Sequence, residues 1–270
     1  MKHKQNLFCA LVALGTAGFA PTTLADHSWG NYHWARTTSS FDLQVINSTT
    51  PDWDSYVSVA VSDWSGSRVL DLAQDGSGDT ASKTRRQCRG GEGTVRICNL
   101  AYGNTGWLGV AGISIDTSGH ITTGYTKLND TYFSTNYYDN ADWRQSVTCQ
   151  ELGHNIGLDH QDEDFDNQSL FSCMDYQDPP YEFANTHDFQ QLESIYDHLD
   201  DYDSYAGGGD GGGDGGGCNA PPGKGCNKAG ANGDVGWGVS LGRRGNAETF
   251  IRIDRDGTTH LTHVTWAIGY

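Results

Sequence analysis

The sequence predicts a mixed α/β protein with one main domain and a small β module behind it. Strand-like and helix-like runs alternate along residues 26–205. A nearly pure glycine tract at residues 206–217 then precedes a tail with strand periodicity. We therefore predict a targeting segment at 1–25, a main domain at 26–205, a flexible linker at 206–217 and a three-stranded β module at 218–270.

The main domain is predicted to contain five strands and three helices. The strands fall where short apolar runs are bounded by turn residues, at 41–46, 69–72, 95–100, 107–115 and 121–128. A first helix begins after Thr50 with Pro51 at its first position, and its aromatic residues fall on one face. Further helices are predicted at 141–156 and from Thr186 onward. We interpret their apolar faces as core.

The tail predicts a small antiparallel sheet. Residues 235–241 alternate in strand fashion, and strands at 250–255 and 260–266 are joined by Asp256-Gly257, a hairpin signal. We interpret His260 and His263 as ordinary strand residues. A carbohydrate-binding role, suggested by eight Trp and thirteen Tyr in the chain, stays open for this module only.

Charge and targeting signals restrict the class of protein. The net charge of −17 disfavours binding to nucleic acid. Lys2 and Lys4 precede an apolar run up to Ala20, which is typical of a secretory signal. No later stretch is apolar enough to span a membrane. We therefore expect a secreted or periplasmic monomer.

Six cysteines remain once Cys9 leaves with the signal. An even number in an exported chain indicates disulfides, and six cysteines allow 15 pairings. The pairing of sequence neighbours is Cys88–Cys98, Cys149–Cys173 and Cys218–Cys226. The alternative for Cys149 and Cys173 is metal ligation as thiolates, which an oxidising compartment disfavours.

Residues 150–160 carry the densest chemical signal. They read Q-E-x-x-H-x-x-G-x-x-H, with Gln150, Glu151, His154, Gly157 and His160 at the fixed positions. Residues four apart lie on one helix face, so Gln150 and His154 can point at one ion. A glycine with positive φ can end the helix and turn His160 back toward it. The pattern predicts a metal site with a glutamate beside it.

This pattern, followed by Met174 after His160, resembles the zinc signature and methionine turn of the metzincin metalloproteases, with a bacterial matrixin-like or astacin-like character. The chain departs from that signature at Gln150, where the family has a ligand histidine. The resemblance covers roughly residues 26–201. It implies a mixed five-stranded sheet, an active-site helix, and Met174 as an apolar floor under the metal.

The resemblance also implies an activity. It predicts a zinc-dependent endopeptidase with Gln150, His154 and His160 as ligands, Glu151 as general base and Tyr176 as a residue that can reach the metal or the oxyanion. An extended peptide substrate would lie along the strand from Trp107 to Ala111. Calcium binding by the acidic run at 161–166 fits no known loop spacing.

Because zinc prefers nitrogen to an amide oxygen, Gln150 opens alternatives to a peptidase. The first is a catalytically inactive protein of the same fold that binds peptides or proteins. The second is a fold that keeps its metal for structure alone.

Overall fold

The computed structural model describes residues 26–76, 78–205 and 236–270. In chain order the described part forms β1 His33–Trp34, β2 Phe41–Asn47, α1 Pro51–Trp64, β3 Leu70–Asp75, α2 Ser82–Gln87, β4 Thr94–Leu100, β5 Trp107–Ile115, β6 His120–Asn129, α3 Asp130–Phe133, α4 Ala141–Asn155, α5 Thr186–Ile195, β7 Val239–Arg244, β8 Ala247–Ile253 and β9 Thr259–Trp266. None of the described helices is long and apolar enough to cross a bilayer.

The strands form one mixed sheet, which confirms the predicted α/β class. Its order is β3-β2-β4-β6-β5-β9-β8-β7, with β1 beside β6. Strands β2, β3, β4 and β6 are parallel, and β5 runs antiparallel to β6. The sheet has nine strands where five were predicted, because β1 and the three tail strands join it.

The tail strands are antiparallel, as predicted, but they do not form a sheet of their own. Strand β9 pairs antiparallel with β5 along the whole of that strand. The first tail strand begins at Val239, four residues later than predicted. The glycine tract predicted as a linker, and the predicted pair Cys218–Cys226, lie outside the described residues.

Strand β9 presents different chemistry on its two faces, as the two-residue period of a strand requires. Leu261 packs into the main core on the helix side of the sheet. Val264 and Trp266 enter a second apolar cluster on the opposite face, together with Trp107, Val110, Trp237 and Phe250. His263 and Thr265 therefore share the helix-facing side with Leu261.

Helix α1 holds α4 in place. Trp53, Val57 and Trp64 are buried on one face of α1, as its periodicity predicts. The indole nitrogen of Trp64 donates to the carbonyl oxygen of Cys149 at 3.0 Å, which ties α1 to the middle of α4. Trp34 does the same at the C-terminal end of α4, where its indole nitrogen donates to Asn155 O at 2.9 Å.

Three short elements were not predicted. Helix α2 has no buried residue and so leaves no hydrophobic period in the sequence. Helix α3 has only four residues and starts at an Asn129 side chain that accepts from Thr131 N–H. Strand β1 has two residues. All are too short for a pattern to develop.

Two of the predicted disulfides are confirmed. The Cα atoms of Cys88 and Cys98 lie 5.9 Å apart, and those of Cys149 and Cys173 lie 6.0 Å apart, with both pairs bonded. The second bond joins α4 to the residue before Met174. It excludes the thiolate-ligand alternative for these two cysteines.

We expect the Cys149→Ala/Cys173→Ala double variant to lose about 3 kcal/mol of unfolding free energy, because a closed loop of this length restricts the unfolded chain. Urea unfolding of the oxidised protein measures the loss. If the chain binds zinc at residues 150–160, as the sequence predicts, its zinc affinity should fall as well, since the turn carrying Met174 is no longer fixed to α4. The Cys88→Ala/Cys98→Ala variant is the matched control: it should lose stability but keep its zinc affinity. Equal zinc affinities in both variants would contradict this role.

Candidate functional site

The site lies at the C-terminal half of α4. Asn140 caps this helix by accepting from Trp143 N–H at 2.9 Å. The helix ends before Gly157, whose φ of +105° and close approach to Tyr32 O leave no room for a side chain. The close contact of Gly153 with Met174 Sδ places the methionine against the same helix turn. The turn at Gly157 carries the chain back from His154 to His160.

His154 and His160 meet at their Nε2 atoms, 3.2 Å apart. His154 Nδ1 faces the carbonyl oxygen of Leu158 at 2.8 Å, and this nitrogen must donate because a carbonyl only accepts. His160 Nδ1 faces Glu163 Oε1 at 3.4 Å, which makes it a donor as well. In the neutral rings both Nε2 lone pairs therefore point at each other. Such a contact is repulsive unless a cation or a proton lies between them.

A third histidine, His263 of β9, completes the cluster. The ligand atoms of His154, His160 and His263 all lie within 4.8 Å of one another, and all three residues are buried. Neither nitrogen of His263 has a hydrogen-bond partner among the described residues. Burying an unpaired polar group costs ~1–3 kcal/mol. A metal ion would remove that cost.

The cluster fits a zinc ion in its chemistry. Zinc–nitrogen bonds of ~2.0–2.1 Å in a tetrahedron put ligand atoms about 3.3 Å apart, close to the His154–His160 separation. Burial chiefly lowers the pKa of His154 and of His263 well below its usual value, so both rings are neutral and can coordinate. The Glu163 carboxylate behind His160 Nδ1 orients that ring in the manner common at metal sites.

Gln150 is near the cluster but contacts β9. Its Nε2 atom donates to Thr265 Oγ1 at 2.7 Å, and the Thr265 hydroxyl in turn donates to Glu151 Oε1 at 2.6 Å. One hydroxyl of the tail thus binds both of the residues that the motif places before His154. The role of Gln150 as a ligand stays a prediction.

Glu151 is fully buried, and its Oε2 atom has no partner among the described residues. Burial raises the pKa of Glu151 to about 8, although the Thr265 hydroxyl acts in the opposite direction. The ring of Tyr176 lies 4.4 Å from that of His160. Burial raises the pKa of Tyr176 well above its usual value, so its hydroxyl stays a proton donor.

The site is closed, since the three histidines of the cluster and Glu151 are all buried. A cavity of about 20 Å³ beside Gln150 and Tyr176 has room for about one water molecule. Trp29 covers the cluster, with its ring 5.6 Å from His154 and 6.2 Å from His263. Both edges of β5 are taken, one by β6 and the other by β9. The predicted shelf from Trp107 to Ala111 is therefore filled by the chain itself.

Sequence reasoning missed His263 and Thr265. No local motif marks them, because their partners lie more than 100 residues earlier in the chain. One signal was present: both are polar residues on the same face of a predicted strand, at a spacing of two. A motif that lacks one histidine makes such an unassigned histidine a candidate.

Comparison with known proteins adds no relative: no protein-family model matches the chain, and no curated protein matches it.

Proposed function

We propose that this protein is a secreted zinc-dependent endopeptidase of metzincin type, and that the described structure is its closed, latent form. The observation that carries the proposal is the meeting of His154 and His160 beside the buried Glu151. The two disulfides are of a kind that forms in oxidising compartments, which supports export. When bound, zinc supplies Lewis acidity and lowers the pKa of water toward ~7.

The side chains of the site have distinct tasks in this proposal. Once the site opens and water relieves the burial that raises the pKa of Glu151, its Oε2 atom accepts a proton from the attacking water and later delivers it to the amine leaving group. The Tyr176 hydroxyl donates a hydrogen bond to the oxyanion that develops on the substrate carbonyl. Met174 packs under the α4 turn and keeps the histidines in place.

In this proposal the third metal ligand differs between the two states of the protein: it is His263 in the closed state and Gln150 in the open state. In the closed state His263 joins His154 and His160, while Thr265 holds the Gln150 amide. When β9 leaves, His263 and Thr265 leave with it, the Gln150 amide becomes free to coordinate, and β5 regains an open edge. An extended peptide can then pair with residues 107–111 in the place of β9.

The same observations favour one second candidate. A catalytically inactive protein would keep β9 on β5 permanently, and its metal would only join the tail to α4. The engagement of Gln150 with Thr265 is the observation in its favour. The two candidates differ in whether any form of the protein cleaves peptides.

We expect the His154→Ala variant to bind one zinc ion fewer per chain than the wild type, because His154 is a ligand in both states. Elemental analysis of the zinc-loaded, dialysed protein gives the stoichiometry. The wild type should cleave casein weakly and in a chelator-sensitive manner, and the variant should not.

The matched control is His260→Ala on the same strand as His263. His260 bonds Asp254 and Ser114 and is not part of the cluster. It should keep both the zinc content and the cleavage. Unchanged zinc content in His154→Ala would contradict the metal site at the histidine cluster. Absence of cleavage in every form of the protein would support the catalytically inactive binding protein instead.

A further inference from the structure

We propose that His33, His120, His198 and Asp200 form a second metal site, of a kind that binds zinc. The four residues come from three distant parts of the chain: β1, the first residue of β6, and the segment after α5. None of them belongs to the cluster of His154, His160 and His263. This inference does not rest on the proposed peptidase function.

The Nε2 atoms of the three histidines converge on one carboxylate. The Nε2 atoms of His33, His120 and His198 lie 3.5, 3.2 and 3.6 Å from an oxygen of Asp200. Those of His33 and His198 are 3.1 Å apart. The ligand atoms of His33, His120 and Asp200 all lie within 4.8 Å of one another, and His198 adjoins this group through His33 and Asp200. The separations between contacting atoms are close to the value of about 3.3 Å between ligands bonded to one tetrahedral zinc.

The Nδ1 atom of each histidine is bonded away from the centre, which fixes the tautomer. His33 Nδ1 faces the carbonyl oxygen of Asn31 at 2.9 Å, so it donates. His198 Nδ1 faces a carboxylate oxygen of Asp197 at 3.3 Å and donates as well. In the neutral rings both Nε2 atoms therefore carry lone pairs, directed at each other and at Asp200.

His120 has the same arrangement through Tyr202. Its Nδ1 atom contacts the Tyr202 hydroxyl at 2.8 Å. That hydroxyl donates its proton to Asp116 Oδ2, so it accepts from His120. An outer group that fixes the ring while Nε2 is left free is the usual arrangement behind a metal ligand.

The backbone brings the ligands together before any metal binds. His33 and His120 are partners in the parallel ladder of β1 and β6. Asp200 N donates to Arg36 O at 2.7 Å, and Arg36 N donates to Asp200 Oδ2 at 2.9 Å. The rings of His120 and His198 are each nearly perpendicular to that of His33.

Without a metal, the Nε2 atoms of His33 and His198 would face each other at 3.1 Å, although both Nδ1 atoms already donate elsewhere. Three neutral nitrogens and one carboxylate oxygen match the ligands that zinc takes in closed sites. His198 is half-exposed, which leaves a path for the ion from solvent.

The test measures zinc bound per full-length chain after loading and dialysis. The wild type is expected to bind two zinc ions, and His198→Ala and Asp200→Asn one each. The His154→Ala variant should also bind one, and His154→Ala/His198→Ala none. The matched control Asp201→Asn, next to Asp200, should keep both ions.

A competition titration with a zinc chelator adds the affinity. Loss of His198 should weaken the second site at least about 100-fold, more than loss of an outer-shell partner does. Asp200→Asn keeps the size of the side chain, so it covers the case in which another variant unfolds. Full zinc content in both His198→Ala and Asp200→Asn would overturn the site. A folded His154→Ala protein that binds no zinc would also overturn the second site, whereas the proposed zinc site at His154, His160 and His263 would stand.

Discussion

Replacing His263 by alanine should raise chelator-sensitive casein cleavage at least about tenfold above wild type. The closed state would lose its bond between β9 and the metal, which shifts the balance toward the open state. A tenfold shift of this equilibrium corresponds to ~1.4 kcal/mol. The assay compares initial rates at equal protein and zinc concentrations, with His260→Ala as the strand control.

Gln150→His should have the same direction of effect, because a histidine there competes with His263 for the metal and coordinates better than an amide. The two variants together separate latency from catalysis. If His263→Ala loses both zinc and cleavage, His263 is a permanent ligand and β9 is not a removable cover. If it keeps zinc and still does not cleave, the binding-protein alternative stands.

Replacing Glu151 by alanine should abolish cleavage while zinc binding is retained. The expected loss is ~10²–10⁴-fold, the usual contribution of a general base. We would measure it in the His263→Ala protein, where the cleft is open and the starting rate is highest. The zinc content is determined on the same sample.

Two further variants make this result specific. Glu151→Gln keeps the size of the side chain and should be as inactive as alanine, because an amide cannot accept the proton. Glu193→Ala removes an exposed carboxylate that pairs with Arg68 in the described part of the chain, and it should leave the rate unchanged. Cleavage that survives in Glu151→Ala and in the presence of a chelator would exclude the proposed mechanism.

The parts of the fold that could be predicted depend on local pattern. Helix α4 was predicted at 141–156 and is found at Ala141–Asn155, since its cap and its terminal glycine lie in the sequence beside it. The ends of the main-domain strands agree to within three residues for the same reason. The pairing of β9 with β5 could not be predicted, because pairing between strands so far apart in the chain leaves no local pattern in the sequence of either strand.

The site divides in the same way. His154 and His160 are six residues apart, and the turn that joins them is encoded by Gly157. His263 reaches them only through the tertiary pairing of β9, so its alternation pattern looked like that of any strand. The second cluster was missed entirely: His33, His120 and His198 have no common spacing, and only β1 and the segment after α5 bring them together.

Strand β9 is also the part of the described chain that is synthesised after every other component of the cleft. A chain that emerges N-terminal end first exposes α4 and β5 while residues 259–266 are still to come. If the cleft is catalytic, its cover arrives from the same molecule, tethered and at high effective concentration, but late. Between the folding of α4 and β5 and the arrival of β9, the site of a newly made molecule is open to other proteins around it. The length of this period depends on the rate at which the tail is synthesised.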